Sequence, residues 1–146
     1  MSIIYTNNMI NNKEYKCTAY NEDKLLATLL YDVIDNDIYA KGFFYSDSKL
    51  DSFIAKKMVQ SVLSYAKDIN ISSFITYPIQ NKNILLMLAE FDNVKFVNKN
   101  KEINVDIIKT FKCKNNSFHC VTDIKDLLSQ EDKITAIIPI EKLMII

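Results

Sequence analysis

The stretch ATLLYDVIDNDIYAKGFFYSDSKLDSFIAKKMVQSVLSYAKDINISSFITYP, residues Ala27–Pro78, decides the fold. Two apolar runs, Leu25–Val33 and Ile38–Tyr45, flank an acidic turn at Asp35–Asp37, which predicts a β-hairpin. A long helical pattern follows, and then a strand pattern, Ile71–Tyr77, that ends at a proline. Because two strands joined by a crossover helix lie parallel in one sheet, the stretch predicts a β-α-β unit attached to an antiparallel hairpin.

The long helix is expected over Ser48–Asp68 and is the strongest helical pattern in the chain. One series of apolar residues recurs every four positions: Leu50, Ile54, Met58, Val62 and Ala66. A second series widens the same face: Phe53, Val59, Leu63 and Ile69. We expect this face to pack against the sheet.

Shorter patterns flank the deciding stretch on both sides. Before it, Ser2–Tyr5 and Glu14–Tyr20 predict strands, separated by a polar loop over Asn7–Lys13. After it the patterns predict, in order, a helix at Asn81–Phe91, strands at Val94–Asn98 and Ile103–Cys113, a hairpin to Phe118–Val121, a small helix at Asp123–Ser129, and a strand at Lys133–Ile140 interrupted by Pro139. The order predicts an α+β domain with a mixed, mainly antiparallel sheet and one central β-α-β crossover.

The composition excludes several functional classes. The 146 residues include no arginine and a single glycine, Gly42, so a glycine-rich nucleotide loop and bidentate guanidinium contacts are both excluded. The net charge is zero, which argues against a nucleic-acid partner. Neither a bilayer-spanning apolar run nor an export signal is present, so we expect no membrane partner. Three cysteines in such a chain favour reduced thiols in the cytoplasm.

The position of the single glycine is informative in itself. Gly42 lies near the middle of the strand pattern Ile38–Tyr45. A glycine in a strand weakens it, and it typically marks a β-bulge or a place where another group approaches the backbone closely. We therefore expect one of these two features at Gly42.

No metal centre is expected. Cys113, His119 and Cys120 combine ligand types that zinc prefers, but the paired C-x2-C spacing is missing and the adjacent His119 and Cys120 would point to opposite faces of a strand. The acidic pairs Asp35/Asp37 and Asp47/Asp51 are explained by turn and helix-cap chemistry.

The deciding stretch resembles the core of the GNAT acetyltransferase superfamily. The resemblance rests on the hairpin, on the long helix AKKMVQSVLSYAKDINI at Ala55–Ile71 with its "YA" pair, and on QNKNILLMLAEFDNVKFV at Gln80–Val97. The small GNAT-like subgroup, which begins at the hairpin, is the most similar. The resemblance implies a single domain over residues 1–146, with a GNAT-like core at 13–98 and a C-terminal strand-helix-strand addition at 99–146. That addition either completes the sheet or forms a dimer-facing part.

The resemblance implies acetyl-CoA as cofactor. In that family the strands before and after the long helix splay apart, the pantetheine pairs with free backbone groups in the gap, and the pyrophosphate lies at the N-terminus of the helix. Transferred to this chain, the cofactor-binding residues are Phe43, Phe44, Tyr45, Ser46, Asp51, Ser52, Phe53, Ile54, Ala55, Lys56 and Asn81.

The sequence departs from the family in its phosphate loop, which is normally close to R-G-x-G-I-A. Only Ile54 and Ala55 are retained, Leu50 stands at the arginine position, and Asp51 and Phe53 stand at the glycine positions. Side chains there obstruct the approach of phosphate to the backbone. A plain helix start, with Ser48-x-x-Asp51 as a capping pair, is the alternative for this segment.

Catalytic groups are few under the same resemblance. The subgroup's cysteine is absent after the second splayed strand, and the stretch matching the family's catalytic tyrosine is Leu85–Met87. Tyr45 and Tyr77 are the phenols nearest to the expected cleft, and either could protonate the leaving thiolate, although strand tyrosines are commonly packing residues.

Three hypotheses for the function remain. The first is an acetyl-CoA-dependent N-acetyltransferase that acts on a small-molecule or peptide amine, with the backbone of Phe44–Ser46 supporting the oxyanion. The second is a non-catalytic GNAT-like domain acting in protein binding or dimerisation, for which a homodimer covering the apolar tail at residues 143–146 is one form. The third is an unrelated small α+β protein.

Overall fold

The protein is described from a computed structural model over residues 2–45, 52–79, 82–98, 101–109 and 134–140. The chain divides into two compact units, Met1–Tyr77 with Pro139–Ile146, and Pro78–Ile138. The first unit contains the deciding stretch up to Tyr77 and all of the described residues that we predict to form the site.

The first unit is built on five strands joined in sequence order: β1 at Ile3–Met9, β2 at Glu14–Asn21, β3 at Lys24–Ile34, β4 at Asp37–Tyr45 and β5 at Ser73–Thr76. The pairs β1–β2, β2–β3 and β3–β4 are antiparallel. Helix α1, at Ser52–Asp68, carries the chain over to β5, which pairs parallel to β4. This arrangement confirms the mixed, mainly antiparallel α+β fold with a central β-α-β crossover.

The first hairpin is longer than expected, and the loop predicted from Asn7 is wrong in its first three residues. β1 continues to Met9, because polar side chains in this strand find partners. The hydroxyls of Thr6 and Thr18 lie 2.7 Å apart across the β1–β2 pair. The Asn7 amide donates to Ser61 Oγ of α1 at 2.9 Å. Local polarity therefore does not end a strand whose polar groups are satisfied.

Helix α1 packs on the sheet through a narrower stripe than predicted, formed by Ala55, Met58, Val59, Val62 and Ala66. Phe53 is 62% exposed, so its assignment to the packed face is wrong. It precedes the buried Ala55 by two residues, or about 200° around the helix, and both cannot face the sheet. Leu50 lies outside the described residues.

The assignment of Ile69 to the packed face is also wrong, because α1 ends before it. Asn70 takes a positive φ of 59°, a conformation that asparagine tolerates at a helix end. The next N–H, of Ile71, returns to the carbonyl of Ala66 at 3.1 Å. Ile71 is buried in place of Ile69.

The second unit contains α2 at Lys82–Leu88, β6 at Lys95–Asn98, β7 at Lys101–Ile103, α3 at Val105–Lys109 and most of β8 at Thr135–Pro139. β6 pairs antiparallel with both β7 and β8. β8 ends at its proline, which cannot donate a hydrogen bond to a further ladder.

The strand predicted at Ile103–Cys113 is confirmed only at Ile103, the last residue of β7, and is wrong over Val105–Lys109. Residues Val105–Lys109 form α3, and the Asn104 side chain accepts a hydrogen bond from the Asp106 N–H at 2.9 Å. Asparagine at this position caps a helix start and overrides the β-branched composition of the segment. The predicted hairpin at Phe118–Val121 and the small helix at Asp123–Ser129 lie outside the described residues.

Candidate functional site

The strands β4 and β5 pair over only four residues and then separate. The parallel register runs from Asp37 opposite Ser73 to Ala40 opposite Thr76. One more bond follows, from the Tyr77 N–H to the Ala40 carbonyl at 2.9 Å. The next residue is a proline, which has no N–H to continue the ladder.

β4 continues for five residues beyond this point. Residues 41–45 remain in the strand and pair with β3 along one edge. Along the other edge, no strand in the described part of the chain pairs with them. We call this second edge of residues 41–45 the free edge of β4. With respect to the described residues, the backbone groups on this edge lack a strand partner, and an extended ligand could pair with them.

The free edge begins at a β-bulge. Gly42 is opposite Leu30 and Ala40 is opposite Tyr31, so Lys41 is an extra residue without a partner on β3. A bulge of this kind bends the strand and increases its twist. The prediction that Gly42 marks a bulge or a close approach is confirmed for the bulge, which lies at the preceding residue.

Helix α1 covers one face of this sheet. Cys17 Sγ lies 3.8 Å from the backbone carbonyl oxygen of Met58 in α1. Cys17 is opposite Leu29, which in turn is opposite Phe43. Because directly opposite residues share a face, Phe43 lies on the α1 face, and Gly42 on the other.

A polar network lies beneath α1. The Tyr31 hydroxyl donates to Asn7 Oδ1 at 2.9 Å. Burial, followed by the nearby Cys17, Tyr65 and Tyr15, raises the pKa of Tyr31 above its usual range. Burial likewise raises the pKa of the Cys17 thiol to about 11. Both groups are therefore neutral and unreactive at physiological pH.

The face away from α1 carries a charged cluster at the bulge, formed by Glu14, Asp32 and Lys41 and called here the Lys41 cluster. Lys41 Nζ lies 3.0 Å from Asp32 Oδ1 and 3.6 Å from Glu14 Oε2. The hydrogen bond to Asp32, supported by both carboxylate charges, raises the pKa of Lys41 above its usual value. The lysine is therefore a permanent cation at this position.

Gly42 has open space beside it. A Cβ added there would meet no atom within 4 Å, and the residue does not have a positive φ. The glycine is therefore not needed for its own backbone conformation. The absence of a side chain leaves room beside the bulge on the face away from α1.

The two candidate catalytic phenols lie at opposite ends of the free edge. Tyr45 is the last residue of β4 and is 40% exposed. Tyr77 directly follows β5, at the point of separation, and is 45% exposed. Phe44, beside Tyr45, is 59% exposed and lies opposite Thr28 on the face away from α1.

The other predicted binding residues lie in the first turns of α1: Ser52, Phe53, Ile54, Ala55 and Lys56. The first helical turn contains no acidic residue, and the Lys57 ammonium lies 5.5 Å from the centre of the Phe53 ring. The helix dipole places partial positive charge at this end, the acidic Asp51 directly precedes it in the sequence, and the buried Ala55 faces the sheet. Ser46, Asp51 and Asn81 lie outside the described residues.

Comparison with solved structures identifies the fold. The E. coli ribosomal-protein-S18-alanine N-acetyltransferase matches 92% of this chain and 74% of its own, at 9% identity and a TM-score of 0.60. A Bacillus subtilis acetyltransferase in complex with CoA matches with 89% and 79% coverage, 9% identity and a TM-score of 0.60. A probable acetyltransferase from Staphylococcus epidermidis matches with 89% and 70% coverage, 14% identity and a TM-score of 0.55.

The chain has the fold of the GNAT acetyltransferases. No family model matches the sequence, and no curated protein matches it significantly. The likeness to GNAT acetyltransferases therefore rests on solved structures at 9–14% identity and shows a shared fold, which by itself does not assign an activity.

Metal-ligand groups and membrane-spanning helices are both absent from the described residues. In the described ranges, no group of three or more His, Cys, Asp or Glu side chains could hold a metal ion. No helix in the same ranges is long and apolar enough to cross a membrane. The candidate zinc ligands Cys113, His119 and Cys120 lie outside those ranges.

Sequence reasoning missed the Lys41 cluster. The available signal was Asp32, a lone acid within an apolar strand pattern, because a buried carboxylate requires a partner. The partner could not be chosen from the sequence, since the extra residue in β4 decides which lysine faces Asp32.

Proposed function

We propose that this chain is a GNAT-type N-acetyltransferase that binds acetyl-CoA along the free edge of β4 and transfers the acetyl group to an amine. The observation that carries the proposal is the separation of β4 from β5 after the bond between Tyr77 and Ala40. Among the described residues, no strand pairs with residues 41–45 on that edge, and β4 leads into the N-terminus of a long helix in the same β-α-β unit.

The described residues fit the cofactor in two respects. A pantetheine chain carries amide groups, which can pair with the backbone N–H and C=O groups of residues 41–45 as an added strand would. The positive end of the α1 dipole, with Lys56 and Lys57 in its second turn, attracts a pyrophosphate by charge, although the Phe53 side chain stands at one of the family's glycine positions and narrows the approach to the backbone. When bound, acetyl-CoA would supply the acetyl group as an activated thioester.

The chain's own residues then have three tasks. Backbone N–H groups near Phe44 and Tyr45 donate to the thioester oxygen as negative charge develops on it. Since α1 covers one face, the acceptor amine approaches on the other, past the open space beside Gly42. The amine nitrogen bonds to the carbonyl carbon as the carbon–sulfur bond breaks. The amine loses a proton to water, and Tyr45 or Tyr77 donates one to the sulfur.

The acceptor class is a small-molecule or peptide amine. One protein with this fold is an N-acetyltransferase for the alanine of ribosomal protein S18, which is a peptide amine.

A calorimetric titration of the full chain with acetyl-CoA tests the proposal. We expect saturable binding, with release of a free thiol when a panel of amines is added. Desulfo-CoA serves as a control that binds without turnover. Absence of heat and of any thermal shift at millimolar acetyl-CoA would overturn the proposed activity.

The second candidate is a non-catalytic domain that binds an extended peptide at the same edge. The exposure of Phe44 and Tyr45 at the end of β4 favours it, because exposed aromatic side chains beside a free strand edge suit β-strand addition. Under this alternative the titration with acetyl-CoA gives no heat signal, whereas screening a library of strand-forming peptides against the chain identifies peptides that bind.

A further inference from the structure

The Lys41 cluster joins three neighbouring strands at one point. Glu14 of β2 is opposite Asp32 of β3, and Asp32 is opposite Tyr39 of β4. Lys41, two residues beyond Tyr39, extends its side chain back over this row to both carboxylates. The Lys41 ammonium thus links the bulge of β4 to the neighbouring strands β3 and β2 through two ion pairs.

The ion pair with Asp32 is the stronger of the two contacts of Lys41. Asp32 is more than nine-tenths buried, whereas Glu14 is about one-third exposed. A buried carboxylate without a partner is costly, and the cation that forms its ion pair is correspondingly hard to displace. The 3.0 Å contact with Asp32 therefore fixes the side chain of Lys41, and the 3.6 Å contact with Glu14 adds a weaker, more exposed restraint.

The ion pair is formed by Lys41, the residue at which the free edge of β4 begins. Ala40 is the last residue of β4 that bonds to the β5 side, through the Tyr77 N–H. Lys41 is the next residue and is also the extra residue of the bulge. A bulge redirects the backbone groups that follow it, so the orientation of the edge at residues 42–45 depends on how the bulge is held.

We propose that Lys41 is a positioning residue: its ion pair with Asp32 holds the bulge in β4 and thereby sets the direction of the free-edge backbone groups that receive acyl-CoA. The identity of the ligand in this inference, acyl-CoA, rests on the proposed function. The stabilisation of the bulge by the Lys41–Asp32 ion pair does not depend on a ligand, so it can be measured separately in the ligand-free chain.

A role for Lys41 as a proton acceptor does not fit the same geometry. A lysine held by two carboxylates stays protonated at neutral pH and has no free electron pair to accept a proton from an amine. Its effect on the reaction is therefore exerted through the backbone that follows it.

Four variants test the inference: Lys41→Met, Lys41→Arg, the double variant Asp32→Asn/Lys41→Met, and the control Lys16→Met. Lys16 lies on the same sheet face, opposite Leu30, and has no ion pair with another described residue. For each variant we measure the thermal midpoint, the amide hydrogen exchange of residues 42–45 without ligand, and the Kd for acetyl-CoA.

The double variant separates positioning from a merely structural role. It removes the buried charge together with its partner, so the thermal midpoint should recover relative to Lys41→Met. If Lys41 positions the edge, the double variant still shows amide exchange in residues 42–45 at least tenfold faster than the parent, and acetyl-CoA binding at least tenfold weaker. Lys41→Arg should stay within about threefold of the parent, and Lys16→Met should match it.

Two outcomes overturn the inference. One is a double variant with both parental exchange and parental affinity, which would show that Lys41 only neutralises Asp32. The other is a loss of affinity with unchanged exchange at residues 42–45. Failure of the parent chain to bind acetyl-CoA counts against the proposed function instead, and the exchange measurement still decides whether Lys41 holds the bulge.

Discussion

The Tyr77 N–H donates to the Ala40 carbonyl at 2.9 Å, and beyond this bond β4 and β5 no longer pair. Ala40 is followed by the bulged Lys41, and Tyr77 is followed by a proline. Each strand thus carries its own cause of separation, a bend on one side and a missing donor on the other. The end of pairing between β4 and β5 is therefore a property of the chain without a ligand.

Substitution of Gly42 should separate stability from activity. Alanine or valine would enter open space in a strand, so we expect the free energy of unfolding to rise by about 0.5–1 kcal/mol for Gly42→Ala. The same methyl groups would narrow the approach of the acceptor amine. Turnover should fall at least tenfold for Gly42→Val, with the Kd for acetyl-CoA within about threefold. Loss of stability in urea unfolding would contradict the open space seen at this residue.

Removal of one phenol should lower turnover without changing cofactor affinity. If Tyr45 or Tyr77 donates the proton to the leaving sulfur, its replacement by phenylalanine should reduce kcat by about 10²–10⁴-fold at constant KM. The other Tyr→Phe variant serves as the matched control, because both residues are comparably exposed. Steady-state rates with a saturating amine give the answer. Two fully active variants would exclude both phenols.

Alkaline pH should destabilise the chain through Cys17. The pKa of this thiol is raised from 9.0 to about 11 by burial, so the folded state favours the neutral form. Its contribution to stability is complete below pH 9 and is lost as the pH rises from 9 to 11, by about 2–3 kcal/mol. Urea unfolding at pH 8 and pH 11 measures the loss. Cys17→Ala should lose less over the same range, since Tyr31, whose pKa is also raised, contributes the remainder. An equal loss of free energy of unfolding in the parent and in Cys17→Ala would show that the Cys17 thiol is not a cause of the destabilisation.

Truncation of two apolar residues of α1 should lower the free energy of unfolding by clearly different amounts. Met58 is fully buried, and Met58→Ala should lower the free energy of unfolding by about 2–5 kcal/mol through the cavity it leaves. Phe53 is mostly exposed and contacts Lys57, so Phe53→Ala should cost no more than about 1 kcal/mol. Urea denaturation of both variants compares them directly. Similar losses would mean that Phe53 packs inward as the apolar pattern first indicated.

The sequence predicted the elements of the first unit better than their ends. The hairpin turn at Asp35 and the helix through Val62 follow from local signals, namely turn chemistry and a 3.6-residue period. Helix α3 was missed because Asn104 was not taken as a cap within an apolar, β-branched segment. Phe53 was misplaced because a one-dimensional apolar series does not say which of two neighbouring stripes meets the sheet.

The sequence by itself determined the order of strands around α1 and the crossover that makes β4 and β5 parallel neighbours, because periodicity and turns are properties of contiguous residues. Only the tertiary structure decided where β4 and β5 separate and which lysine pairs with Asp32. Both depend on register between strands, and the single extra residue at Lys41 sets that register through partners that are distant in the chain.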